Sequence, residues 1–211
     1  MDTLSAFNDF LKNWFEPGSD ELEAKISGYI RDNKPDIVSG LLESFAQACQ
    51  RAYERQEKNS ADAISYLSYS MLYINFLARK PLYMIETFND KWFFSSSVSE
   101  HVYDPKWMTS RLYEFYGDAL SKRRKYLGRI HPTMIEKAIL TVLDRQANLL
   151  TRLAKETFES VDLEEIEEFR KLEKDEFKIT IGKYRGAYKE IYKYRTDTGP
   201  SESHCLSTVC L

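Results

Sequence analysis

The residues of this chain that could do chemistry cluster toward its C-terminal end. The run Lys183-Tyr-Arg-Gly-Ala-Tyr-Lys-Glu-Ile-Tyr-Lys-Tyr-Arg195 interleaves tyrosines with cations. Read as a helix, it places Tyr184, Tyr188 and Tyr192 four residues apart on one face. Lys183, Arg185, Lys189, Lys193 and Arg195 flank them. Cations for phosphates beside aromatic faces for bases is the combination that binds single-stranded nucleic acid. The same pattern describes an amphipathic helix docked by its tyrosines, with lysine stems along the border. The acidic stretch before it, Leu163 to Glu176, offsets its field, so docking is the favoured expectation. A second basic group, Lys122, Arg123, Arg124 and Lys125 with Arg129 close by, falls at the C-terminal end of a helical pattern, where cations complement the helix dipole. A phosphate or an acidic protein surface is the alternative partner for it and for Lys183, Arg185 and Lys189.

Two cysteines, Cys205 and Cys210, lie outside any core-forming pattern. A prenylation box needs a cysteine where Thr208 stands, so that modification is not expected. His204, Cys205 and Cys210 supply three ligands without a fourth, too few for a closed zinc site. Ser207 and Thr208 beside these thiols fit a different chemistry, in which an enzyme dehydrates a hydroxyl residue and a thiol adds to it. Cys205, Ser207, Thr208 and Cys210 are therefore candidate modification sites, set against the favoured reading of an unstructured tail with no role. No histidine pairs with another histidine, a cysteine or a carboxylate at helical metal-ligand spacing, and no glycine-rich phosphate loop or nucleophile elbow is present. Neither a metal nor a cofactor is expected. The last candidate is the consecutive set Trp92, Phe93 and Phe94: three adjacent residues cannot share one side of a strand. At least one of them therefore points away from the helices, where a loop or neighbouring helix covering it is the favoured reading and an interaction anchor the alternative.

These candidates must be positioned by the elements around them, and one stretch dominates. From His131 to Val161, Ile135, Ile139, Val142, Leu143, Leu149, Leu150, Leu153 and Ala154 fall on one broad helical arc. So wide a stripe predicts a central helix buried between several neighbours. Gln146 is the polar residue near the middle of that arc, expected as a hydrogen-bonded core amide, with a ligand contact as the alternative. Ahead of it, Thr3 to Phe15 reads as a short amphipathic helix ended by Pro17-Gly18. Ser19 then caps a second helix, which Asn33-Lys34-Pro35 ends. A third helix runs from about Pro35 to Lys58, and a fourth, apolar almost all round, from Asn59-Ser60 to Arg79.

After Pro81 the pattern predicts a small β-hairpin, Leu82 to Phe88 and Lys91 to Phe94 about an Asn89-Asp90 turn. A helix through this segment is the competing reading. Ser95 to Val102 reads as a polar loop, and a further helix runs from Asp104-Pro105 to about Leu127. Beyond the central helix, Leu163 to Glu176 reads as an acidic helix, Phe177 to Ile181 as extended, Gly182 as a break and Lys183 to Arg195 as helical. Thr196 to Leu211 lacks any core-forming period and reads as a flexible tail.

Composition bounds the class. Of 211 residues, 43 % are hydrophobic and 14 % aromatic, enough for a proper core, while six prolines and eight glycines are few for an all-β fold. A net charge of −3 gives no global case for nucleic acid or anionic membrane. No apolar run approaches the roughly 20 residues that span a bilayer. Three cysteines with no disulfide framework, and no signal-peptide pattern, point to the cytoplasm. The expected fold is mainly α: an irregular, all-α multi-helix bundle around a long central helix, with one small β-hairpin insertion. Residues 1–195 form the helical domain and 196–211 the cysteine-containing tail. The expected function is a non-catalytic cytoplasmic protein-interaction domain, adaptor or regulatory, whose partner is another protein. A precursor with a folded recognition leader and a modified tail is the alternative, and a nucleic-acid binder a second.

Overall fold

The computed structural model describes residues 2–59, 63–174 and 176–195. The central helix forms where the apolar arc requires it, as α6 (Pro132–Ser160). Ile135, Ile139, Val142, Leu143, Leu150, Leu153 and Ala154 are all buried along it. Helices α3 (Lys34–Asn59) and α5 (Lys106–Lys122), the latter continued by a 3-10 turn Arg123–Tyr126, also follow the expected patterns.

The N-terminal segment departs from expectation. Helix α1 (Thr3–Phe10), capped by the Asp2 carboxylate accepting from the Ser5 N–H at 2.8 Å, does not stop at Pro17-Gly18. It passes through a π turn, Leu11–Phe15, directly into α2 (Glu16–Asp32). The π turn shifts the backbone ladder by one residue, and Pro17 sits in the first turn after it, where a missing N–H is tolerated. Gly18 answers to packing: a Cβ there would lie 2.9 Å from the Phe115 ring. Ser19 is no cap but a buried residue inside α2. Its hydroxyl donates to the Glu16 carbonyl at 2.9 Å and accepts from Arg145 Nη2 at 2.8 Å.

The larger correction concerns fold class. The chain is not an all-α bundle with one hairpin, and residues 1–195 are not a purely helical unit. Beside the helices stands a five-stranded mixed sheet of order β3-β2-β1-β4-β5. Its strands are β1 (Tyr66–Met71), β2 (Tyr83–Phe88), β3 (Ser99–Tyr103), β4 (Glu176–Lys183) and β5 (Tyr188–Arg195). The expected fourth helix is β1 followed by the short α4 (Tyr73–Leu77). β1 is a central strand buried on both faces, apolar on the side of Leu67, Tyr69 and Met71 and polar on the side of Ser68 and Ser70. β2 is a strand, but its partners are β1 and β3, the latter where a polar loop was expected. Lys91 to Phe94 is no strand; Trp92–Phe94 is a 3-10 turn. The acidic segment is helical only at Leu163–Glu165 and in α7 (Glu167–Arg170). Gly182 lies within β4 rather than breaking it, and Lys183 to Arg195 forms a hairpin turn and β5, not a helix.

β1 pairs antiparallel with β2 and parallel with β4, from a segment more than a hundred residues later. Leu67, Tyr69, Ile85, Phe177 and Ile179 face the helices, where α3 packs on β2 and β3 and α6 on β5. Phe45 is the hub of this interface, with Phe158 at 5.3 Å, Phe169 at 5.7 Å and Phe177 at 6.4 Å between ring centroids. Each such fully buried ring contributes on the order of 1.5–3 kcal/mol from area alone. No helix among the described residues is long and apolar enough to cross a membrane.

Candidate functional site

Among the described residues, no helix packs on the opposite face of the sheet. Its central positions are Ser68 and Ser70 of β1, Glu86 of β2 and Thr180 of β4, set side by side by the register. Polar residues on a helix-free face normally meet water, but all four are at most 6 % exposed. The cover comes from the 3-10 turn after β2 and from β5. The Trp92 ring stacks on Tyr66 at 5.0 Å with 7° between planes. Phe93 contacts Phe88 at 4.9 Å and Tyr188 at 5.1 Å, and Tyr188 stands edge-on to Trp92 at 5.6 Å.

Hydrogen bonds tie this lid to the row beneath. Trp92 Nε1 donates to Ser68 Oγ at 3.0 Å, and Thr180 Oγ1 donates to the same oxygen at 2.8 Å. Ser70 Oγ donates to Glu86 Oε2 at 3.2 Å and shares a hydrogen with the Tyr188 hydroxyl at 2.8 Å. Tyr188 in turn accepts from the Arg185 backbone N–H at 3.3 Å. The consistent direction is Arg185 N–H to Tyr188 O–H to Ser70 O–H to the carboxylate, a chain that polarises toward its charged end. Burial pushes the Glu86 carboxyl above its ordinary range; Ser70 opposes the shift and Glu100, its cross-strand neighbour, adds to it. Trp92 holds φ at 48°, a left-handed conformation costing a bulky residue about 1–3 kcal/mol, sustained here by its stacking and hydrogen bond. Phe94, the next residue but one, is 98 % exposed.

Three of the aromatic candidates thus meet: Trp92, Phe93 and Tyr188 form the lid, and Phe94 projects from it. Tyr184 is 38 % exposed in the turn beside them. Tyr192 does not join. A bulge in the β4–β5 pairing turns it toward the helices, opposite Ile179 and packed on the core. The expected tyrosine face of a helix therefore does not exist, and no ladder of stacking rings forms.

The basic candidates separate as well. Arg124, Lys125 and Arg129 are exposed near the start of α6, while Arg123 donates to the Ile130 carbonyl at 3.1 Å. Lys183 pairs with Asp144 at 2.8 Å and Lys189 reaches Asn148 at 3.5 Å, both in the middle of α6. That is about 18 Å further along the helix, at about 1.5 Å per residue. Arg185 belongs instead to the lid side, at the turn. Cys205, Ser207, Thr208 and Cys210 lie outside the described residues. Within them no group of three or more histidine, cysteine or acidic side chains is placed to hold a metal.

Ser68, Ser70, Glu86 and Thr180 were not singled out by sequence. Their signal was the alternation Leu67-Ser68-Tyr69-Ser70-Met71, which marks a strand with one polar face. The chain matches no protein-family model, no curated protein and no solved structure.

Proposed function

We propose that this chain is a non-catalytic protein-interaction domain acting in the cytoplasm, with its contact surface on the helix-free face of the sheet. The observation that carries this is Phe94: a ring 98 % exposed, projecting from a turn whose neighbours Trp92 and Phe93 are fixed by stacking and hydrogen bonds. An aromatic side chain has few rotatable bonds and so loses little conformational freedom when it leaves a fixed turn for a partner's pocket, and aromatic residues are enriched among interface hot spots. Val102, on the same face of β3, is 52 % exposed and extends the apolar surface. Cys49, the free cysteine among the described residues, is buried and remains a thiol in a reducing compartment.

The test places a photoreactive phenylalanine analogue at position 94 and, as control, at Ile74, which is 68 % exposed elsewhere. A defined adduct is expected from position 94 alone, competed by the unlabelled protein and not by the Phe94→Ala variant. Equal competition by that variant, or the same adducts from both positions, refutes the assignment. Phe94→Ala leaves folding stability within about 0.5 kcal/mol, since the ring is exposed and none of the described residues packs on it.

A further inference from the structure

A second site lies at the other side of the sheet, where the end of β1, the start of β2 and the β4–β5 hairpin meet the middle of α6. A cavity of about 240 Å³ opens there. Its floor is apolar and closed: Met71, Tyr83 and Ile181 are each at most 3 % exposed. Its walls are small residues, Ala147 on α6 and Gly182 and Ala187 on the hairpin. The hairpin cannot narrow this space by growing a side chain at Gly182, whose Cβ would lie 2.2 Å from the Ala187 carbonyl oxygen.

The rim is polar and carries three charges: Asp144, Lys183 and Lys189. Asp144 is fully engaged, accepting from the Tyr73 hydroxyl and from Lys183 Nζ at 2.8 Å. These same contacts hold the Lys183 ammonium in its charged form. Lys183 is also hydrogen-bonded toward the Tyr73 hydroxyl, which leaves one of its three N–H donors for a ligand. Lys189 has no carboxylate partner among the described residues; its one contact is the Asn148 amide oxygen at 3.5 Å. The rim therefore presents one uncompensated positive charge and spare N–H donors above an apolar floor.

We infer that this cavity is a binding site for a small amphipathic monoanion, a carboxylate with an aromatic or branched apolar body. The carboxylate would bridge Lys189 and the remaining donor of Lys183, and the body would rest on Met71, Tyr83 and Ile181. The volume equals that of about eight waters at about 30 Å³ each, so the ligand is of roughly that many to a dozen non-hydrogen atoms. Because Lys189 is exposed to solvent, affinity is modest, with Kd on the order of 1 mM. This site is independent of the aromatic lid, and either can fail alone.

The probe is benzoate, titrated against the full chain at constant ionic strength while the methyl resonances of Met71 and Ile181 are followed. Benzyl alcohol and benzylamine, of the same shape, are the neutral and cationic controls. Saturable shifts at both methyls with benzoate are expected, at least fivefold weaker with benzyl alcohol and absent with benzylamine. Lys189→Met lowers benzoate affinity toward that of the alcohol. Ala147→Leu, which fills the cavity from the surface of α6, abolishes the shifts while leaving the remaining spectrum unchanged. No saturable shift with benzoate, equal affinity for acid and alcohol, or full affinity in Lys189→Met overturns the inference.

Discussion

Gln146 should be a liability of the fold, and replacing it by methionine should stabilise the protein. It sits on the buried arc of α6 with 0 % exposure, and neither amide atom has a hydrogen-bond partner among the described residues. The sequence expectation of a satisfied core amide is therefore half met: the residue is in the core and its polar groups are unpaired. An unsatisfied buried amide costs about 1–3 kcal/mol of desolvation. Methionine has nearly the same length and nearly the same helix propensity, so neither a cavity nor a backbone penalty is exchanged for the gain. Gln146→Met is expected to raise stability by about 2 kcal/mol, which for a chain of this size is about 4–8 °C in Tm. Urea unfolding measures it, with the requirement that the slope against denaturant be unchanged, so that the gain belongs to the native state. Gln146→Glu sharpens the test. Its buried carboxyl would have a folded pKa above the unfolded value of about 4.3, so that variant matches the parent best in acid and loses stability as pH rises. A Gln146→Met protein that is less stable than its parent by about 1 kcal/mol or more, at unchanged slope, refutes the reasoning: the amide then has a partner, such as an internal water, whose loss is what is measured.

The polar row under the lid gives further outcomes. Because the Glu86 carboxyl is raised by burial and by Glu100, its stabilising contribution is complete below about pH 4.3 and is lost as pH rises through its folded value. Glu86→Gln therefore gains on the parent progressively from acid toward neutral pH, and a pH-independent difference in unfolding free energy would contradict this. Ser68→Ala removes the acceptor shared by Trp92 and Thr180; it should cost about 1–3 kcal/mol and speed hydrogen exchange at the Trp92 indole, and unchanged exchange would show that the bond does not hold the lid. Gly182→Ala drives a Cβ to 2.2 Å from Ala187 O and 2.7 Å from Tyr188 Cα, so a loss of about 1–3 kcal/mol is expected; stability within about 0.5 kcal/mol of the parent would mean the hairpin opens freely.

Where the sequence misled, the cause is a coincidence of periods. Tyr184, Tyr188 and Tyr192 are four apart, and four is close to one helical turn and also two pleats of a strand. Spacing alone cannot separate the two. The turn could: Arg185-Gly186 lies between Phe177-x-Ile179-x-Ile181 and Tyr188-x-Glu190-x-Tyr192, a hairpin signal. Gly186 N–H donates to the Lys183 carbonyl at 2.8 Å in that turn. The bulge that sends Tyr188 and Tyr192 to opposite faces leaves no local mark. Nor does the parallel β1–β4 pair, whose strands find each other only through the tertiary fold. By contrast α6 was legible because one surface, the sheet with its neighbouring helices, covers a single continuous arc of it.

The lid on the helix-free face follows from a conflict between burial and polarity. Leu67, Tyr69 and Met71 commit one face of β1 to the helical layer, so Ser68 and Ser70 must face the other way. Left in water, those hydroxyls would cost nothing and stabilise nothing. Covering them with Trp92, Phe93 and Tyr188 removes aromatic surface from water, but it also desolvates two serines, a threonine and a carboxyl, each of which must then find a partner. The bonds from Trp92 and Thr180 to Ser68, and from Tyr188 through Ser70 to Glu86, meet that demand. A cover laid only to bury apolar area would rest on valines and isoleucines without such requirements. Polar bonds have direction where apolar contacts do not, so this arrangement fixes the orientation of the Trp92 ring and, through it, of the turn. The consequence is that the backbone carrying Phe94 is fixed with its ring directed outward, so that binding has only the ring's own rotamer left to order.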